Sequence, residues 1–302
     1  MKLLLTGAFG YTDQQIEYIK ALGHQVVFIQ DERVPVTFDV SDIDGVVCNG
    51  LFLYNPIEKF TSLRYIQLTS AGLDRVPLDY INNHNIKIFN ARGVYSVPMA
   101  EFALCGVLDL YKKSRDFYNS QLNHQWQKQR QIFELFGKRV CIIGAGNIGC
   151  HVAKRFKAFD STVVGVDIVA HKQPCFDEMY LIDNIDEQIA LADIVVLTLP
   201  LTDQNKGFFD KGKFALMKKS ALFVNIARGA LVNQSDLTDA LNQGQIYGAV
   251  LDVFETEPLD GHSPLWDMPN VIITPHNSFV GENNNQRMFD VIVKNLKENT
   301  DE

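Results

Sequence analysis

No apolar run in the sequence approaches the ~20 residues that span a bilayer. Lys2 is followed only by Leu3, Leu4 and Leu5 before Thr6-Gly7, too short a stretch for the core of a signal peptide. Positive charge is also scarce. Against 36 Asp and Glu stand 28 Lys and Arg, a net charge of −8, which argues against nucleic acid or an anionic membrane surface as the partner. There are five cysteines, Cys48, Cys105, Cys141, Cys150 and Cys175, an odd number with no CxxC spacing. The first, second and third lie in apolar runs, as small buried hydrophobes do, so a reduced, cytoplasmic chain is expected. Without HExxH or a Cys/His cluster, no metal is expected. What remains is ordinary globular material: 302 residues, 46% hydrophobic and 21% charged, enough for two domains.

The first 90 residues alternate strand and helix signals. Leu3–Leu5, Gln25–Ile29, Val46–Cys48, Tyr65–Leu68 and Ile86–Phe89 read as strands. Thr12 and Gln15 read as the capping box of a helix that Gly23 ends. From Pro98, a first-turn residue, Phe102, Leu104, Cys105, Val107, Leu108 and Leu110 predict a helix apolar on most faces, buried between domains or between subunits. Beyond the polar stretch Gln121–Gln131, strands are predicted at Arg139–Ile143, Thr162–Val166, Ile194–Leu197, Leu222–Asn225, Tyr247–Asp252 and Val271–Thr274. Six strands separated by helical patterns predict a doubly wound parallel sheet, the Rossmann arrangement. A last helix over Asn283–Glu298 is predicted to return to the first domain.

Val140–Ile143 runs into Gly144-Ala145-Gly146-Asn147-Ile148-Gly149, and a helical pattern follows. This is GxGxxG between a strand and a helix. Gly144 permits the tight turn, Gly146 lets backbone approach a pyrophosphate, and Gly149 allows close helix–strand packing. Asp167 ends the next strand 18 residues past Gly149, where an acid binds ribose hydroxyls. That carboxylate would repel a 2′-phosphate, so NAD is expected over NADP, with Lys172 nearby as the one contrary feature. Thr6-Gly7-Ala8-Phe9-Gly10 imitates the motif, but Asp13 stands where its third glycine would be, and these glycines read as turn residues.

Three later strands each end in polar residues. Asn225-Ile226-Ala227-Arg228-Gly229, Asp252-Val253-Phe254-Glu255-Thr256-Glu257-Pro258 and Thr274-Pro275-His276 bring an arginine, a carboxylate and a histidine to the sheet edge that holds the cofactor. Arg228 suits a substrate carboxylate and ketone, His276 suits proton donation, and a neighbouring carboxylate would orient the imidazole. Any one of them alone could be a surface residue.

With GAGNIG, LPLT at Leu199–Thr202, NIARG, DVFETEP, PLW at Pro264–Trp266 and NVIITPH at Asn270–His276, the sequence resembles the D-isomer-specific 2-hydroxyacid dehydrogenase family over nearly its whole length. SAGLD at Ser70–Asp74 and MAEFAL at Met99–Leu104 extend the resemblance. It implies an NAD-dependent enzyme interconverting 2-oxo acids and D-2-hydroxy acids, with Arg228 binding substrate, Glu257 supporting the histidine and His276 as acid/base. It places Asn147, Ile148, Pro200, Ala227 and Asp252 at the cofactor, with Asp252 on the nicotinamide carboxamide, and gives the substrate carboxylate to the amides of Ala71 and Gly72. It implies a discontinuous, flavodoxin-like α/β substrate domain, residues 1–94 and 278–302, an NAD-binding domain, residues 95–277, and a homodimer through the latter. After His276, the run Asn277-Ser278-Phe279-Val280-Gly281 carries its glycine later than the family pattern.

Other readings are a phosphoglycerate dehydrogenase, a formate dehydrogenase, which would carry glutamine in place of Glu257, and an NAD(H)-sensing corepressor-like protein. The segment Asn49-Gly50-Leu51-Phe52-Leu53-Tyr54, which the resemblance turns toward substrate, holds no Lys or Arg. An unphosphorylated 2-oxo acid with an apolar side chain is therefore expected.

Overall fold

A computed structural model describes residues 1–170 and 172–299. The chain divides into two compact units, Met1–Tyr95 with the segment that begins at Gly281, and Ser96–Val280.

The first unit begins with β1 (Lys2–Thr6), α1 (Asp13–Ala21), β2 (Gln25–Ile29), β3 (Gly45–Cys48), β4 (Tyr65–Leu68), α2 (Leu78–Asn83) and β5 (Lys87–Phe89). Its sheet is wholly parallel, in the order β2-β1-β3-β4-β5, the flavodoxin-like order. The capping box is present: the Thr12 hydroxyl accepts from the Gln15 amide at 3.2 Å, and the Gln15 side chain accepts from the Thr12 amide at 2.9 Å. The Leu3-Leu4-Leu5 run is explained by a strand buried on both faces. Leu4 joins the core with Val46, Ile66 and Ile81, whereas Leu3 and Leu5 pack with Met288, Ile292 and Leu296.

The second unit runs α3 (Ser96–Tyr111), α4 (Ser114–Leu122), β6 (Arg139–Ile143), α5 (Asn147–Lys157), β7 (Thr162–Asp167), β8 (Glu178–Leu181), α6 (Ile185–Leu191), β9 (Ile194–Leu197), α7 (Lys211–Leu216), β10 (Leu222–Asn225), α8 (Gln234–Asn242), β11 (Gly248–Leu251) and β12 (Val271–Ile273). The chain then completes the first unit with α9 (Asn284–Glu298), which supplies those three apolar residues. The second sheet is parallel throughout, in the order β12-β11-β10-β9-β6-β7-β8. Its strand order reverses between β6 and β9, and the glycine-rich loop leaves β6 at that point. Phe209, Phe214 and Phe223 anchor its core, with ring centroids 4.7 to 5.3 Å apart.

Several expectations need correction. The second sheet has seven strands, not six, because β8 is an edge strand of only four residues whose two ends are exposed. Helix α4 was hidden by its lack of any buried residue. Helix α3 begins at Ser96, so Pro98 stands third, where a missing N–H still costs no helical bond. Cys105 is exposed rather than buried, on the face of α3 opposite Ala103 and Val107. Nor are all five thiols free: Cys150 and Cys175 form a disulfide, with Cα atoms 5.4 Å apart. Their separation of 25 residues matches no short motif, and only the β–α–β path brings them together.

Candidate active site

The glycine-rich turn fits a dinucleotide for reasons visible atom by atom. Gly144 has φ +102°, and a Cβ there would lie 2.8 Å from the Thr198 carbonyl carbon. A Cβ on Gly149 would lie 2.2 Å from the Gly144 carbonyl oxygen, so the helix could not approach the strand end with any side chain there. Gly146, the N-cap of α5, faces open space, with nothing within 4 Å of its would-be Cβ. Free space beside the positive end of an eleven-residue helix suits a pyrophosphate. The Asn147 side-chain oxygen accepts from the Ser96 hydroxyl, and Ile148 is half-buried behind it.

Asp167 closes β7, and its carboxylate accepts from the Ala145 amide and the Ile168 amide, both at 2.7 Å. The acid is thereby held beside the glycine turn, half exposed. On the other side of the turn, the Thr198 hydroxyl donates to the Gly144 carbonyl at 2.6 Å. Two residues on, Pro200 is exposed, and its carbonyl accepts from Asn205 at 2.8 Å.

Arg228, Glu257 and His276 lie after β10, β11 and β12, three adjacent strands. His276 Nδ1 lies 2.8 Å from Glu257 Oε2, with both side chains a little over a third exposed. The other Glu257 oxygen accepts from the Phe254 amide at 3.1 Å, which fixes the carboxylate to its own loop. His276 has φ +49°, and its amide donates to the carbonyls of Asp252 and Thr274. Arg228 is half-buried, its guanidinium donating to the Ala227 carbonyl at 2.8 Å, while the Ala227 amide donates to Asn225. A Cβ on the next residue, Gly229, would fall 1.9 Å from the Phe254 carbonyl carbon, so glycine lets the arginine loop touch the loop of Glu257.

Asp252 is wholly buried. Its carboxylate accepts from the Thr274 hydroxyl at 2.7 Å, the Asn277 amide at 2.7 Å and the Ser278 amide at 3.0 Å. Three of about four acceptor positions are thus used to hold the chain on both sides of His276. Sequence reasoning gave Asp252 to the cofactor and missed this supporting function, which depends on backbone amides 25 and 26 residues away.

In the first unit, the segment after β4 presents Ala71, exposed, and Gly72, half-buried. Their carbonyls accept from Asn90 at 2.7 Å and from the Ser70 hydroxyl at 3.0 Å. The segment after β3 splits its apolar residues between core and surface. Phe52 turns inward onto Phe60, ring centroids 5.6 Å apart, while Leu53 is 61% exposed. Behind it lies Glu32, a buried carboxylate that accepts from the Thr6 hydroxyl at 2.6 Å and from the amides of Asn49 and Gly50. Glu32 is marked in the sequence only by its place in a polar run after β2, at the sheet edge where α/β folds collect functional groups.

Comparison with known proteins agrees with this geometry. The family "D-isomer specific 2-hydroxyacid dehydrogenase, NAD binding domain" matches residues 104–278. A hydroxypyruvate reductase from Blautia hydrogenotrophica is 28% identical over 99% of this chain and 96% of its own length. A D-3-phosphoglycerate dehydrogenase from Methanocaldococcus jannaschii is 33% identical over 80% of this chain, a match that spans only 46% of that longer protein. The crystal structure of a D-isomer specific 2-hydroxyacid dehydrogenase family protein from Aeromonas salmonicida subsp. salmonicida superposes with a TM-score of 0.83 at 28% identity, covering 99% of this chain and 96% of that one.

Proposed function

The chain belongs to the D-isomer-specific 2-hydroxyacid dehydrogenase family, and from that membership we propose that it reduces unphosphorylated 2-oxo acids with apolar side chains, using NADH. The observation that carries this reading is the His276–Glu257 contact, with Arg228 at the end of the adjacent strand, on the sheet edge that also bears the Gly144–Gly149 turn.

The cofactor, when bound, supplies a hydride to the ketone carbon. The rest falls to the chain. The amides around Gly146, Asn147 and Ile148 hold the pyrophosphate, and Asp167 takes the ribose hydroxyls. Pro200, Ala227 and Asp252 border the nicotinamide half. Arg228 binds the substrate through its planar fork and polarises the ketone, and the amides of Ala71 and Gly72 take the substrate carboxylate. His276, with Nδ1 directed at Glu257, presents Nε2 as the proton donor to the forming alkoxide. The Glu257 carboxylate orients the ring for that donation.

The absence of Lys and Arg from residues 49–54 supports an unphosphorylated substrate, since a phosphate needs cationic or N–H partners to replace its hydration. Glu32, buried behind the amides of Asn49 and Gly50, adds a negative charge to the same segment. The relative named D-3-phosphoglycerate dehydrogenase makes 3-phosphohydroxypyruvate the competing substrate. Measuring kcat/KM for pyruvate, 2-oxoisocaproate, phenylpyruvate and 3-phosphohydroxypyruvate side by side decides between them. A preference for the phosphorylated acid overturns the substrate assignment and leaves the reaction class standing.

A homodimer through the second unit is part of the same proposal. Phe102, Leu104 and Leu108 of α3 are only partly buried, and Tyr118, Trp126 and Phe136 are 59%, 96% and 73% exposed, an apolar surface that a second copy would cover. No helix among the described residues is long and apolar enough to cross a membrane, and a cytoplasmic location is proposed with it.

A further inference from the structure

Cys150 and Cys175 have no part in the chemistry above, yet they flank the cofactor turn. Cys150 follows Gly149 directly, in the first turn of α5, and is half-buried, whereas Cys175 is only 6% exposed. Between them sits Gln173. Its side-chain amide donates to the Ala145 carbonyl at 2.9 Å, and its oxygen lies 3.1 Å from Cys150 Sγ and 3.8 Å from Cys175 Sγ. Ala145 is the same residue whose amide donates to Asp167. The disulfide therefore fastens Gln173 against the middle residue of the glycine turn, two residues from the cross-link. In the reduced pair, the Gln173 oxygen is an acceptor within reach of either S–H.

We propose that Cys150 and Cys175 form a reversible thiol-oxidation site that sets the affinity of the neighbouring dinucleotide site. The reactant is a low-molecular-weight disulfide. The Cys150 thiolate, more accessible and near the positive end of α5, attacks one sulfur of that disulfide and expels the other as a thiol. Cys175 then displaces the second thiol from Cys150. Two protons and two electrons leave the cysteine pair, one S–S bond is exchanged for another, and the reactant is reduced to two thiols. In a cytoplasmic protein such a bond is a switch rather than a permanent staple.

The direction follows from preorganisation. With the disulfide closed, Gln173 is tethered and holds the Ala145 carbonyl. The turn then keeps its shape before the pyrophosphate arrives, and less freedom is lost on binding. The oxidised protein binds NADH more tightly. By linkage, bound NADH must protect the disulfide from reduction by the same factor.

The inference rests on the dinucleotide site, not on the identity of the substrate, and its test uses NADH binding alone. Purified protein is treated with excess dithiothreitol or with hydroxyethyl disulfide, freed of reagent, denatured and labelled with a maleimide. Mass spectrometry should count five labels on the reduced chain, and three, at Cys48, Cys105 and Cys141, on the oxidised one. Fluorescence titration of the native samples should give an NADH Kd about 5-fold or more lower in the oxidised form, a coupling of ordinary size. In Cys175→Ser, and separately in Cys150→Ala, the Kd should stay at the reduced value under both treatments. Five labels after oxidation, or equal Kd values in the two forms, would overturn the proposal. Failure of both forms to bind NADH would instead remove the cofactor site itself, and the switch with it.

Discussion

His276 Nδ1 lies 2.8 Å from a carboxylate oxygen of Glu257, although nineteen residues separate them in sequence. Each partner is fixed to the C-terminal end of β11. The Glu257 carboxylate accepts from Phe254, and the His276 amide donates to the Asp252 carbonyl while the Asp252 carboxylate ties down Thr274, Asn277 and Ser278. The pair is a product of loop architecture and not of chance proximity, which is why its removal has definite expected effects.

Replacing His276 by Asn removes the proposed proton donor and keeps a polar side chain of smaller size. Turnover is expected to fall by ~10²–10⁴-fold, with NADH affinity nearly unchanged. Steady-state kinetics and a fluorescence titration on the same preparation check both halves. A variant retaining near-normal turnover would assign the proton elsewhere.

In Glu257→Gln the carboxylate held 2.8 Å from His276 Nδ1 becomes an amide of similar length. The ring loses the partner that orients it, so kcat is expected to fall at least about tenfold with NADH affinity nearly unchanged, read by steady-state kinetics and a fluorescence titration. A kcat equal to that of wild type would show that Glu257 does not act on His276.

Arg228→Lys keeps the positive charge and loses the fork that can hold carboxylate and ketone together. A loss of kcat/KM of at least about tenfold is expected, corresponding to roughly 1.4 kcal/mol of transition-state stabilisation. Activity close to wild type would place the substrate anchor on another residue.

Asp167 already holds the Ala145 amide in the structure, so Asp167→Ala should weaken NADH binding and narrow the advantage of NADH over NADPH. Comparing the two Kd values in wild type and variant tests it. A wild-type protein that prefers NADPH would contradict the assignment of Asp167 to the ribose hydroxyls.

Much of this was legible because local physics leaves marks in sequence. The Thr12/Gln15 capping box, the strands Ile194–Leu197 and Leu222–Asn225, and the Gly144 and Gly149 spacing depend on neighbours a few residues away, and the structure places them as the pattern implied. What escaped was decided at a distance. Strand β8 is defined by pairing with β7 rather than by its own composition, and Glu32 matters because β1 and β3 end beside it. The partnership of Cys150 with Cys175 and the hold of Asp252 on the His276 loop likewise join segments about 25 residues apart. The orientation of Phe52 was open for a related reason: its inward turn is set by Phe60 and the core beneath it, not by its place in an apolar run.

The central claim is tested most directly by incubating the purified protein with NADH and 2-oxoisocaproate, following NADH absorbance and resolving the product by chiral chromatography. The expected result is loss of one NADH for each hydroxy acid formed, with the D isomer as the product. NADH that binds but is not consumed with any unphosphorylated or phosphorylated 2-oxo acid would contradict it, as would an L product.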